Sequence, residues 1–215
     1  MIMQKSKRIT LKKVFIILGI YICILLYLGN VVNAYFLNKK DPLLRAAHDY
    51  KGILENDPNN AEVHAKLGEL YLEIEEEKKD KSYLGLAQYE FQKAVEINPN
   101  NIDFHYDLAI TFDLMKDKKQ ALTEYKKILS IDPFHPQSNV ELARYYAANK
   151  QYKKSIFYYK KCLEKETTAA NIYFELGKIY ELENKQTEAM QMYQTAQKYD
   201  PGLNGLKEKL KNNPK

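Results

Sequence analysis

A chain of 215 residues, 45% apolar and 28% charged, has the makeup of one globular domain with a small appendage. Its net charge of +5 resides in the first 34 residues, where Lys5, Lys7, Arg8, Lys12 and Lys13 stand without any acid. The remaining 28 Lys and Arg balance 28 Asp and Glu, so charge lends no support to nucleic-acid binding, and two cysteines as distant as Cys23 and Cys162 exclude a disulfide scaffold.

The first predicted element is a transmembrane helix. From Val14 to Leu28 no residue is charged or strongly polar, and the apolar character runs on through Val31 and Val32. At about 1.5 Å per residue this stretch matches the roughly 30 Å of a bilayer core. Tyr35 and Phe36 follow, where interfacial aromatics sit. Five basic residues precede the stretch, against Lys39, Lys40 and Arg45 after it. That bias predicts a basic cytoplasmic N-terminus at 1–13, a signal-anchor at 14–34, and all that follows on the other side. Val32-Asn33-Ala34 also fits a cleavage site, but the apolar run is long for a removed leader, and the anchor is preferred. Cys23 lies mid-segment behind the bulky Ile20-Tyr21-Ile22 and reads as a small apolar residue, not a lipid attachment site.

Beyond the span the sequence repeats. Pro58-Asn59-Asn60, Pro99-Asn100-Asn101 and Asp132-Pro133 each separate two helical patterns, and Pro201 closes the series. The step from Pro99 to Pro133 is 34 residues, continued by Thr167 and Pro201. Leu67, Leu108, Leu142 and Leu176 recur, each followed by a small residue: Gly68, Ala109, Ala143, Gly177. Four residues after each Leu stands an aromatic: Tyr71, Phe112, Tyr146, Tyr180. A second helix in each unit repeats Ala87, Ala121, Ser155 and Ala189, then Phe91, Tyr125, Tyr159 and Tyr193, then Ala94, Ile128, Cys162 and Ala196. Small residues at these places let two antiparallel helices approach, and the aromatics fill the space between neighbouring pairs.

This pattern resembles the tetratricopeptide repeat, with its Trp, Leu-Gly, Tyr, Ala, Phe and Pro positions. The resemblance covers 61–203 as four units, 61–101, 102–135, 136–169 and 170–203. It implies an all-α solenoid, a right-handed superhelix, behind the one transmembrane helix. The Trp position is filled by His64, His105, Asn139 and Tyr173, and Thr167 stands where a Pro is usual. The first unit is seven residues over the period. Its charged stretch Glu75 to Lys81 is expected to form about two projecting turns of helix. Residues 35–60 are read as a linker and a half-repeat helix over 41–56, and 204–215 as a capping helix and tail.

No glycine-rich nucleotide loop, G-x-S-x-G or H-E-x-x-H is present, and catalysis is not expected. His64 and His105, at one slot in adjacent units, fall roughly 10 Å apart by helix-pair spacing, too far for one metal. They read as packing residues, and the many carboxylates as solvated helix faces. Neither cofactor nor metal nor small-molecule substrate is expected.

The resemblance implies that first helices line a concave groove. The stripe facing away from the core there includes Glu62, Glu69, Glu73, Asp103, Tyr106, Asp107, Ile110, Asp113, Glu141, Arg144, Phe174, Glu175, Lys178 and Glu181. Over the full stripe nine acids meet three bases, Lys66 being the third. Lysines gather instead on second helices: Lys118, Lys119, Lys126, Lys127, Lys153, Lys154, Lys160 and Lys161. The expectation is a scaffold or adaptor at a bacterial plasma membrane, repeats outside the cytoplasm. It would hold a protein or peptide segment of basic and apolar character in its groove and help assemble an envelope complex. A permanent structural subunit of a membrane complex and a cytosol-facing receptor are the alternatives.

Overall fold

The computed structural model describes residues 41–164 and 169–211, and in them the chain is a row of helices packed each on the next. The predicted basic N-terminus and span at 1–34 lie outside these residues. No helix among the described residues is long and apolar enough to cross a membrane. In chain order the helices are α1 (Pro42–Asn56), α2 (Ala61–Lys78), α3 (Ser82–Ile97), α4 (Ile102–Leu114), α5 (Lys118–Ile131), α6 (Pro136–Ala148), α7 (Tyr152–Leu163), α8 (Ala170–Leu182), α9 (Gln186–Tyr199) and α10 (Leu206–Lys211).

The helix starts are written locally. Asn60 accepts from the Val63 amide at 3.1 Å, and Asn101 from the Asp103 and Phe104 amides at 2.9 and 3.2 Å, so each Pro-Asn-Asn ends in a cap. In α6, Pro136 takes the first turn while His135 Nδ1 accepts from the Ser138 amide. The turns within units repeat as strictly as the core. Lys116, Lys150 and Asn184 have φ of 65°, 56° and 59°, one period apart. The amide after each donates five positions back, Asp117 to Phe112, Gln151 to Tyr146 and Lys185 to Tyr180, at 2.8–2.9 Å. This is the left-handed helix ending that Gly usually serves, here built with Lys and Asn.

Four antiparallel pairs result, α2/α3, α4/α5, α6/α7 and α8/α9, with each pair packed on the next. α1 covers α2 at one end and α10 packs on α9 at the other. Leu67, Leu108, Leu142 and Leu176 are buried, as are Ala87, Ala121, Ser155 and Ala189 where the paired helices touch. Phe91, Tyr125, Tyr159 and Tyr193 are at most 1% exposed. Gly177 shows why smallness matters: a Cβ there would stand 2.4 Å from the Tyr193 ring, which has no room to retreat.

The surplus of the first unit is distributed otherwise than the charge pattern suggested. α2 has 18 residues where α4 has 13, and α3 has 16 where α5 has 14, so both helices lengthen. Lys79, at φ 55°, ends α2 in a left-handed turn whose amide donates to the Glu75 carbonyl. The Glu75 to Lys81 segment therefore adds about one and a half turns and then reverses direction, instead of projecting as two.

Candidate functional site

The predicted stripe runs across the first helices α2, α4, α6 and α8. Glu62, Glu69, Glu73, Asp103 and Arg144 are exposed. Tyr106, Asp107, Ile110, Asp113, Glu141, Phe174, Glu175, Lys178 and Glu181 are half-buried. Successive helices bring these side chains within electrostatic reach of one another: Asp107 feels Glu69 and Lys66 on α2, Tyr106 feels Glu141 on α6, and Arg144 feels Glu175 on α8.

The charges are less uniform than a count of acids implies. Each base of the stripe is held by an acid three residues away: Lys66 by Glu69 at 2.8 Å, Arg144 by Glu141 at 2.7 Å and Lys178 by Glu175 at 2.9 Å. Glu181 is paired with Lys209 of α10. Asp113 takes Lys118 at 2.7 Å and the hydroxyl of Tyr125, which donates to it at 2.9 Å. Burial and that hydrogen bond push the Tyr125 hydroxyl well above the usual phenol range. The acids of α6 and α8 are thus satisfied. Glu62, Glu73, Asp103 and Asp107, all on α2 and α4, have no cation paired with them among the described residues. Burial, together with the charges of Glu69 and Asp103, pushes the Asp107 carboxyl up to about 6 against the opposing pull of Lys66.

Two hollows flank the Glu141–Arg144 pair. One, of about 410 Å³, lies between α4, α5 and α6, with Ala121, Leu122, Tyr125 and Tyr145 in its wall. The other, of about 240 Å³, is bounded by Tyr106, Val140, Cys162 and Ile172. Phe174 sits at the far end, its ring 5.7 Å from that of Tyr193 and beneath Lys178, packed into the last core cluster.

The histidines do more than pack, and two carboxylates are not solvated at all. His64 Nδ1 lies 2.6 Å from Glu90 and His105 Nδ1 2.6 Å from Glu124, all four side chains buried. His64 Nε2 donates to the Pro58 carbonyl at 3.1 Å, and His105 Nε2 to that of Pro99 at 2.9 Å. Each ring is thus held at both nitrogens, one on the proline carbonyl at the head of its unit and the other on the carboxylate of the paired helix. In the third unit Asn139 repeats the bond to the proline carbonyl, donating to Pro133 at 3.1 Å, but the position of Glu90 and Glu124 has become Tyr158. The reading of the carboxylates as solvated faces fails at Glu90 and Glu124 because each spans the seam to the histidine of its own unit. The signal was present in the sequence: Glu precedes the core aromatic only in the two units whose Trp position holds His. Among the described residues no group of three or more His, Cys, Asp or Glu side chains is placed to hold a metal ion.

Family models described as tetratricopeptide repeat match residues 90–123, and 136–164 together with 170–203. No curated protein matches the chain. Among solved structures, that of MamA is 21% identical and superposes with a TM-score of 0.65, covering 76% of this chain and 92% of that one. YrrB, described as a repeat protein with an unusual peptide-binding site, is 19% identical with a TM-score of 0.63, covering 84% and 89%. PilF of Pseudomonas aeruginosa is 19% identical with a TM-score of 0.56, covering 73% and 68%. At these identities the likeness is one of fold.

Proposed function

We propose, from the premise that this chain is built of tetratricopeptide repeats, that it is a membrane-anchored scaffold holding a basic segment of a partner protein along its first helices. The observation that carries this reading is the division of charge along the stripe. Acids without a paired cation on α2 and α4 offer a field for Lys or Arg, while the hollows beside Tyr106 and Val140 offer an apolar anchor its place. Asp107 is the centre of that field, since it sits partly desolvated among Glu69 and Asp103. Residues 14–34 supply the anchor, 1–13 remain in the cytoplasm, and the repeats face outward at a bacterial plasma membrane, where the scaffold assists assembly of an envelope complex.

Affinity capture with the full chain in detergent tests the groove. Reversing Asp107 and Glu141 to Lys is expected to reduce recovery of the partner strongly, and reversing Glu76 and Glu77, both exposed near the end of α2, to leave it unchanged. Equal losses would reduce the stripe to a solvated face. For the anchor, protease added to intact spheroplasts should digest the repeats, and full protection would overturn the orientation.

A further inference from the structure

The structure assigns a second docking site, of opposite charge, to the outer face of the two middle units, in the cleft between α5 and α7, and its occupant is an acidic peptide segment carrying an aromatic or aliphatic anchor. The lysines there are placed with the period of the fold. Lys119, Lys126 and Lys127 recur one period later as Lys153, Lys160 and Lys161. The same positions hold Gly85, Gln92 and Lys93 in the first unit and Thr187, Gln194 and Thr195 in the fourth. Solubility alone does not ask for this, because at five of these six positions the end units keep the same face with neutral residues. Lys119, Lys126, Lys153 and Lys160 are exposed and have no ion pair among the described residues, so their charge is available to a partner.

Between these lysines lies a cleft of about 320 Å³ lined by Lys126, Leu129, Asn139, Phe157, Tyr158 and Lys161. Phe157 is 55% exposed at its edge, an unusual place for a Phe. The cleft arises from the break in the histidine–glutamate seam. Tyr158, standing where the first two units have Glu, turns to stack on Tyr146 with ring centres 5.4 Å apart and planes 6° from parallel. Asn139, 1% exposed, is locked by donating to the Pro133 and His135 carbonyls at 3.1 and 2.9 Å. Its Oδ1 is left with no partner at the cleft wall. A buried acceptor without a donor is costly, so this seam is closed less completely than its neighbours. An acidic peptide segment sets its carboxylates beside Lys126 and Lys160 while its apolar anchor covers Leu129 and Phe157. A flat lipid surface brings charge but does not enter the cleft.

The test uses the full chain in a neutral detergent and three probes: a random copolymer of glutamate and tyrosine, polyglutamate, and vesicles of phosphatidylglycerol. The copolymer is expected to bind more tightly than polyglutamate, and about tenfold or more weakly once Lys126→Glu and Lys160→Glu are combined. Phe157→Ser should bring the copolymer down to the level of polyglutamate, since it removes the anchor contact without touching the charges. Lys207→Glu with Lys211→Glu, the same change of net charge on α10, should leave binding as it was. Loss of binding equal to this control's would overturn the site. Vesicle binding that the Lys126 and Lys160 reversals abolish, with no copolymer bound, would assign the face to a membrane and equally overturn the proposal.

Discussion

The first two units and the last two share one backbone plan and differ in how they fill it. Units one and two close their seams with buried histidine–glutamate couples, while at the same positions unit three has Asn139 and Tyr158, and unit four Tyr173 and Met192. Within the stripe of the first helices, four acids of α2 and α4 have no paired cation among the described residues, whereas the acids of α6 and α8 are each held by a base. The repeat thus dictates where helices touch, and leaves the seam and the stripe free to diverge. Function is to be sought in those two places, since the touching positions cannot vary without cost.

The largest differences in stability are expected at the seams. His105→Leu strands Glu124 in the interior beside only Lys127, and is expected to cost about 3–5 kcal/mol of stability in chemical denaturation. Asn139→Leu removes two donated bonds but also an acceptor that had no partner, and is expected to cost about 1–2 kcal/mol. Combining His105→Asn with Glu124→Tyr, which installs the third unit's pair in the second, should recover a large part of the loss from either change alone. Equal costs for the two Leu variants would mean that the couples are incidental to the fold.

A smaller effect distinguishes the stripes through pH. Asp107 titrates at about 6 in the folded chain against 3.8 for an ordinary Asp, so the folded state binds the extra proton between those values. Its contribution to stability is therefore greatest below about 4 and is lost as pH rises through 6. Asp107→Asn is expected to stabilise the chain at pH 7 by about 1 kcal/mol, a figure reduced for solvent screening, and to give no advantage at pH 4. Thermal melts at the two pH values decide it, and a gain of the same size at both would show that burial of this carboxylate is not the cause.

The smallest test concerns a single oxygen. Ser155 stands where the other three units have Ala, fully buried, and its hydroxyl has no partner. Ser155→Ala is expected to raise stability by about 1 kcal/mol, measurable by denaturant midpoint at unchanged slope.

Much of this architecture was legible in the chain because burial at a fixed period is a strong signal. Ala121, Tyr159 and Ala196 are recognisable as core from the sequence, since each is one of four at a constant step. The neutralisation of the stripe was legible too, as Lys66 with Glu69, Glu141 with Arg144, and Glu175 with Lys178 are all three apart on a helix. What escaped was pairing across helices. Glu90 and Glu124 look like any exposed helical Glu, and only comparison of units reveals that they change together with His64 and His105. The lysine ending of α4 at Lys116 was hidden for a similar reason, because left-handed turns usually announce themselves by Gly. The placement of the segment 14–34 rests on apolar length and flanking charge alone.

Equilibrium binding of a random copolymer of lysine and phenylalanine to the full chain tests whether the acids of α2 and α4 form a recognition surface. The measurement compares the unmodified chain with Asp103→Lys combined with Asp107→Lys, and with Glu76→Lys combined with Glu77→Lys, at low and high salt. Binding is expected to weaken with salt, to fall about tenfold or more in the first variant, and to be unchanged in the second. Binding indifferent to salt, or reduced equally by both pairs of reversals, would contradict this.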